Sequence, residues 1–138
     1  MNNLASLFGR IGLSAIFILS GFAKIGAYAG TQQYMASAGV PGALLPLVIA
    51  LELGGGIAIL TGTFTRSVAA ALALFSIASA LLFHADIADQ NQFIHLSKNI
   101  AIAGGFLMLV AHGSGAFSVD AWRARAKSVS TSLLPGAA

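Results

Sequence analysis

The chain has 138 residues, of which 57% are hydrophobic and only 8% are charged. Soluble domains carry about 25% charged residues, so this composition excludes an ordinary water-soluble globule and indicates an integral membrane protein. The formal net charge of +3 is spread along the chain without a basic face, which argues against nucleic-acid binding. The absence of cysteine excludes thiol chemistry and iron–sulfur ligation by this chain.

The first predicted membrane helix covers residues 4–28 and contains two charged residues, Arg10 and Lys24. They lie about 21 Å apart along a helix, and fourteen steps of about 100° bring them back to nearly the same face. Either both side chains extend to opposite membrane interfaces, or they mark the ends of one protein-facing stripe. We expect this helix to be retained, because no signal-peptide cleavage site follows its apolar run.

The following segment, residues 26–42, is too rich in glycine and proline to cross a membrane. We expect a short interfacial helix near residues 31–38, with Tyr28 and Tyr34 at headgroup depth. This connection would link the first membrane helix to the second.

The second predicted span covers residues 44–62 and has one acid, Glu52, near its middle. A carboxylate at membrane depth is costly, so it should face protein and have a partner. One interpretation is a structural ion pair with Lys24 or Lys98 that fixes the helix register. The other is a carboxylate that carries protons or orients a ligand. The three glycines of residues 54–56 favour close helix packing.

The third predicted span covers residues 67–84, with small residues recurring every three or four positions as a packing face. A polar loop follows from His84 and contains Asp86 and Asp89. With His95, these side chains could ligate a transition metal or a haem, but surface histidines are common, and we predict no metal site.

The fourth predicted span covers residues 93–112 and begins with several polar residues, including Lys98 and Asn99. The basic segment that follows is a topology anchor or an anionic-lipid contact, or else a docking site for a partner. We predict one membrane domain over residues 1–127 and a disordered tail over residues 128–138.

Charge placement predicts how the four spans are oriented. Arg10, Arg66 and the basic tail fall on one side, which the positive-inside rule assigns to the cytoplasm together with both termini. Lys24, Glu52, His84 and Lys98 then converge on the outer half of the bundle. A cavity there would be positive overall and would suit an anion, a quinone carbonyl or a headgroup.

Four sequence segments, taken in their order and spacing, resemble the DoxX family of small bacterial membrane proteins. They are GRIGLSAIFILSGFAKI (residues 9–25), AGVPGALLPLVIALELGGGIAILTGTFTR (residues 38–66), the His84 end of the third helix, and LSKNIAIAGGFLMLVAHGSGAFSVD (residues 96–120). The resemblance implies an all-α, four-helix bundle in the bacterial inner membrane. It also implies kinship with subunits of respiratory or thiosulfate:quinone oxidoreductases, and it makes Arg10, Lys24, Glu52 and Lys98 the typical intramembrane charges.

The leading hypothesis is therefore a quinone-binding or membrane-anchor subunit of an oxidoreductase complex. In this hypothesis Glu52, Lys24 and Lys98 carry the chemistry, while His84, Asn99 and Arg10 bind the quinone. One alternative is a non-catalytic assembly protein that docks a partner, and another is a small transporter or lipid-handling protein. The expected partners are the lipid bilayer, subunits of a redox complex and, through the glycine-rich and alanine-rich faces, further copies of the chain.

Overall fold

The computed structural model describes residues 3–132, which form helices and connecting loops without a β-strand. In chain order the helices are α1 (Asn3–Gly26), α2 (Tyr28–Ser37), α3 (Leu45–Thr61), α4 (Thr65–Phe83), α5 (Gln90–His112) and α6 (Val119–Ser132). A single 3-10 turn at residues 42–44 leads into α3. Among these residues, α1, α3, α4 and α5 are long and apolar enough to cross a membrane. The predicted four-helix membrane bundle with a short helix between its first two spans is confirmed.

The bundle consists of two close helix pairs, α1 with α3 and α4 with α5, which meet mainly along α3 and α4. Small residues permit the first pairing. A Cβ atom added at Gly56 would lie 2.8 Å from Ile18 Cγ1 and 3.3 Å from the carbonyl oxygen of Ser14. Only glycine lets the backbones of α1 and α3 approach this closely.

Aromatic and branched side chains fill the space between the two helix pairs. Phe17 of α1 contacts Phe106 of α5 edge to face, with ring centroids 5.3 Å apart. Ile59 and Leu72 are fully buried beside them. The small-residue face of α4 points inward as the sequence predicts, and its four members are all buried: Ala69, Ala73, Ser76 and Ala80.

One end of the bundle is organised around Arg10, which is completely buried. Its guanidinium donates hydrogen bonds to the carbonyl oxygens of Ile59, at 3.2 Å, and Leu60, at 3.0 Å, and also to that of Phe117. The last carbonyls of a helix have no partner within the helix and carry partial negative charge, so the end of α3 is a natural site for a cation. Of the two interpretations of Arg10, the protein-facing one is correct.

The turn between α3 and α4 requires glycine at position 62. Gly62 has a φ of +71°, and an added Cβ atom would lie 2.5 Å from Nη1 of Arg10. The guanidinium thus occupies the space that a side chain at this position would need.

Helix α6 is fastened to the same end of the bundle through Asp120. The Asp120 carboxylate accepts hydrogen bonds from the backbone N–H groups of Phe64 and Thr65, each at 2.9 Å, and so caps α4. Partial burial raises the pKa of Asp120, but these hydrogen bonds and the charge of Arg123 outweigh it, so the pKa lies below its ordinary value.

The helical structure of α6 extends to Ser132. The predicted disordered tail, which begins at Ser128, thus overlaps the end of α6 over residues 128–132, and the hydroxyl of Ser118 accepts a hydrogen bond from the N–H of Ala121 at the start of this helix. Residues 133–138 of the predicted tail lie outside the described residues.

Candidate functional site

The end of the bundle opposite Arg10 contains a cavity of about 420 Å³. Residues from α1 through α5 line it. About half of them are polar, but most of the lining surface is apolar, with Phe17, Phe75 and Leu82 among the apolar residues. Ligand sites commonly enclose about 300–1,000 Å³ and combine an apolar lining with a few polar groups. The size and composition of this cavity are those of a small-molecule site.

The ion pair between Lys24 of α1 and Glu52 of α3 lies in the polar part of this cavity. Nζ of Lys24 is 2.9 Å from Oε1 of Glu52, to which it donates a hydrogen bond, and 2.8 Å from Oε2. Ser20, one helical turn before Lys24, accepts from the ammonium at 2.7 Å and donates to Oε1 at 3.2 Å. The expectation that Glu52 faces protein and pairs with a lysine is confirmed for Lys24.

One carboxylate oxygen of Glu52 accepts no hydrogen bond of good geometry. Glu52 is only 3% exposed, and its Oε2 is buried and accepts no such bond within the described residues, although Nζ of Lys24 lies 2.8 Å away. Because Glu52 lines the cavity, its carboxylate is the anionic acceptor that the site offers to an O–H or N–H group of a ligand.

A second polar group comes from the C-terminal end of α4 and the first turns of α5 and lines the same cavity. It consists of His84, His95, Lys98 and Asn99. The imidazole rings of His84 and His95 are stacked with centroids 4.8 Å apart, and Nδ1 of His84 lies 2.7 Å from Oε1 of Gln92. The sequence placed both histidines beside one loop but gave no sign that their rings touch.

Lys98 does not join the ion pair of Glu52. Within residues 3–132 no carboxylate lies at ion-pair distance from its ammonium. Of the two lysines that the sequence offers as partners of Glu52, Lys24 is the partner and Lys98 is not, although Lys98 lines the same cavity. Among the described residues, the Lys98 ammonium thus has no carboxylate beside it.

Arg10 is separated from the other predicted site residues. Its guanidinium binds carbonyl oxygens at the opposite end of the bundle and does not line the cavity. This corrects the expectation that Arg10 binds the same ligand as Lys24 and Lys98. Arg10 and Lys24 share one face of α1, but the length of helix between them puts the two side chains at different ends of the bundle.

The acidic residues of the loop between α4 and α5 act as backbone caps. Asp89 accepts a hydrogen bond from the N–H of Gln92 at 2.8 Å, and Asp86 accepts from that of Ala88 at 3.1 Å. Among the described residues, no group of three or more histidine, aspartate or glutamate side chains is placed to hold a metal ion.

Comparisons with known proteins give the family of this chain. The sequence model of the DoxX family matches residues 5–85. The chain is 48% identical over 120 residues to the inner membrane protein YqjF of Escherichia coli K12, covering 87% of this chain and 92% of that protein. It is 38% identical over 122 residues to the inner membrane protein YphA of the same organism, covering 83% and 86%. No solved structure shows significant similarity. With this family match and two inner-membrane relatives, the chain belongs to the DoxX family.

Proposed function

We propose that the cavity binds a quinone and that the protein is the quinone-binding membrane subunit of a redox complex. The observation that carries this proposal is the division of the cavity lining into a large apolar part and a small polar part at membrane depth. A quinone has the same division, because its ring and tail are apolar and its oxygens lie at the ring edge.

The polar groups of the cavity match both redox states of such a ring. Lys98 and Asn99 carry donors for a quinone carbonyl. The carboxylate of Glu52, which lines the cavity, is an acceptor for a quinol hydroxyl. Oxidation of a quinol releases two protons with its two electrons; Glu52 would accept one of the protons, and the other would pass to water. We assign the two electrons to a partner redox subunit, because the chain has no cysteine for thiol or iron–sulfur chemistry.

The proposal includes an orientation in the membrane. Arg10, Arg66 and the basic residues of α6 belong to one end of the bundle, and the cavity belongs to the other. By the positive-inside rule the first end faces the cytoplasm, so the cavity opens toward the outer leaflet. Because the chain has no cysteine, single cysteines at Ala88 and at Ser128 would report sidedness with a membrane-impermeant thiol reagent. Labelling of Ser128→Cys alone in intact spheroplasts would contradict this orientation.

Binding of a short-chain quinol to the purified protein in lipid nanodiscs tests the function. We expect saturable binding at one molecule per chain, and about tenfold weaker binding for Glu52→Gln, because an amide oxygen is a weaker acceptor than a carboxylate. Arg123→Gln, at the opposite end of the bundle, is the matched control and should bind normally. A thermal melt of each variant checks that it remains folded.

Two results would overturn the proposal, in whole or in part. One is the absence of saturable quinol or quinone binding to the wild-type protein, compared with empty nanodiscs of the same lipid. The other, which removes only the role given to Glu52, is unchanged quinol affinity in folded Glu52→Gln. The first result would leave the alternatives of a non-catalytic assembly protein and of a small transporter or lipid-handling protein.

A further inference from the structure

We infer that the cavity selects the anionic form of its ligand, so that an acidic hydroxyquinone binds in preference to a neutral quinone, with Lys98 as the selecting charge. This inference rests on the proposed function and names the class of quinone that the site prefers.

The charges of the cavity lining do not cancel. Lys24 and Glu52 lie within 2.9 Å of each other and neutralise one another. Lys98 lines the same cavity, and no carboxylate of residues 3–132 pairs with it. The two lysines and the one acid of the lining therefore leave one positive charge without a negative partner. A ligand that displaces water from this ammonium must supply the missing negative charge or leave the ammonium uncompensated.

The loop acids do not provide that negative charge. Asp86 and Asp89 are the acidic residues nearest to Lys98 in the sequence, and neither lines the cavity. Both carboxylates accept hydrogen bonds from backbone N–H groups of the loop and the first turn of α5. They are also exposed, so water and salt screen their field.

The donors around Lys98 form one face of α5. His95, Lys98, Asn99 and Ile102 are spaced as i, i+3, i+4 and i+7, which places them on one side of a helix, and all four line the cavity. The polar members come first and Ile102 follows one turn deeper. With this order, an ionised ring oxygen would bind the polar residues at the outer end of α5, and the apolar body of the ring would lie against Ile102.

Attraction between opposite charges gives the direction of the selectivity. The Lys98 ammonium makes a charge-assisted hydrogen bond to either ligand, but only an anionic ring oxygen adds the attraction between two full charges. A neutral quinone gains only the interaction of the Lys98 ammonium with a carbonyl oxygen. The competing explanation is that Lys98, which is exposed, merely extends toward the membrane interface and contributes nothing to ligand choice.

A matched pair of ligands separates these explanations. The first is a naphthoquinone with an acidic ring hydroxyl that is ionised at neutral pH, and the second is its methyl ether, which has the same ring and no charge. Binding of each is measured in zwitterionic nanodiscs and corrected for partition into empty nanodiscs. We expect the ionised compound to bind the wild-type protein about tenfold more tightly than the ether.

Variants identify the source of the preference. Lys98→Gln should abolish it by weakening the ionised compound much more than the ether, Lys98→Arg should retain it, and Lys127→Gln in α6 should leave it unchanged. Glu52→Gln raises the net charge of the cavity, so it should bind the ionised compound at least as tightly as the wild type does. For a quinol the same variant should have the opposite effect, a weaker affinity, because the quinol hydroxyl needs the carboxylate as its acceptor.

The outcomes distinguish this inference from the proposed function. Equal affinity for the two compounds, or a preference that survives in folded Lys98→Gln, overturns the inference and leaves quinone binding in place. Failure of both compounds and of the quinol to bind overturns both. Loss of the preference in Lys98→Gln together with its retention in Lys98→Arg supports the assignment to the Lys98 charge.

Discussion

Replacement of Lys24 by methionine tests how strongly the buried pair stabilises the bundle. The Glu52 carboxylate is 3% exposed, and the ammonium of Lys24 lies within 2.9 Å of both of its oxygens. Removal of one member of a buried ion pair costs about 3–5 kcal/mol, because the remaining charge is left uncompensated. Since the Lys24 side chain is 24% exposed, we expect the lower end, a loss of about 3 kcal/mol in the free energy of unfolding.

The reciprocal variant should cost less. In Glu52→Gln the Lys24 ammonium stays charged, but its flexible stem lets it move toward water, so we expect a loss of about 1–2 kcal/mol. In the double variant Lys24→Met/Glu52→Gln neither charge remains. The loss should therefore be about 2 kcal/mol smaller than the sum of the two single losses.

Unfolding in mixed micelles with increasing dodecyl sulfate, followed by circular dichroism, measures these differences. Lys98→Met is the matched control. It removes an ammonium from the same cavity without breaking an ion pair, and it should change stability by no more than about 0.5 kcal/mol. The ion pair does not stabilise the fold if Lys24→Met is as stable as this control. The same conclusion follows if the losses in unfolding free energy of Lys24→Met and Glu52→Gln simply add in the double variant.

Two further predictions concern helix packing and the cap of α4. Gly56→Val should destabilise the bundle by about 2–3 kcal/mol, because the new side chain meets the α1 backbone, whereas Gly54→Val, with nothing within 4 Å of its Cβ position, should be nearly neutral in the same unfolding assay. Asp120→Asn should cost about 0.5–1 kcal/mol at neutral pH. Because the folded-state pKa of Asp120 is depressed, this difference should be present above its ordinary value of 3.8 and disappear as the pH falls through the lower folded value. A difference that does not change with pH would contradict the role of the Asp120 charge.

The sequence predicted the bundle and the Glu52 contact because each follows from a strong local constraint. Long apolar segments have few alternatives to crossing a membrane, and a lone acid at that depth must face protein and have a partner. Lys24 lies on the span that precedes Glu52 and near the same end, so the two meet at 2.8 Å. Small residues three and four positions apart in α4 likewise predicted its buried face.

Other features depend on loop geometry, which helical periodicity does not encode. Arg10 binds backbone carbonyls, and every residue offers a carbonyl, so no sequence pattern points to Phe117 as its partner. The stacking of His84 on His95 depends on the path of the loop between α4 and α5. For a similar reason the sequence could not decide whether Lys98 pairs with Glu52. The distance between the two side chains depends on how far apart α5 and α3 lie, and not on the position of Lys98 along α5.

Arg10 also has a consequence for how the protein is made. One of its hydrogen-bond acceptors, Phe117, lies 107 residues further along the chain than Arg10 itself. During synthesis the guanidinium enters the bilayer long before that acceptor leaves the ribosome. The hydrogen bonds to Ile59 and Leu60 can form once α3 is made, but the guanidinium gains its remaining acceptor only late in translation. Truncation before residue 117 would leave a buried N–H group of Arg10 without that acceptor, a defect by which quality-control proteases could recognise the chain.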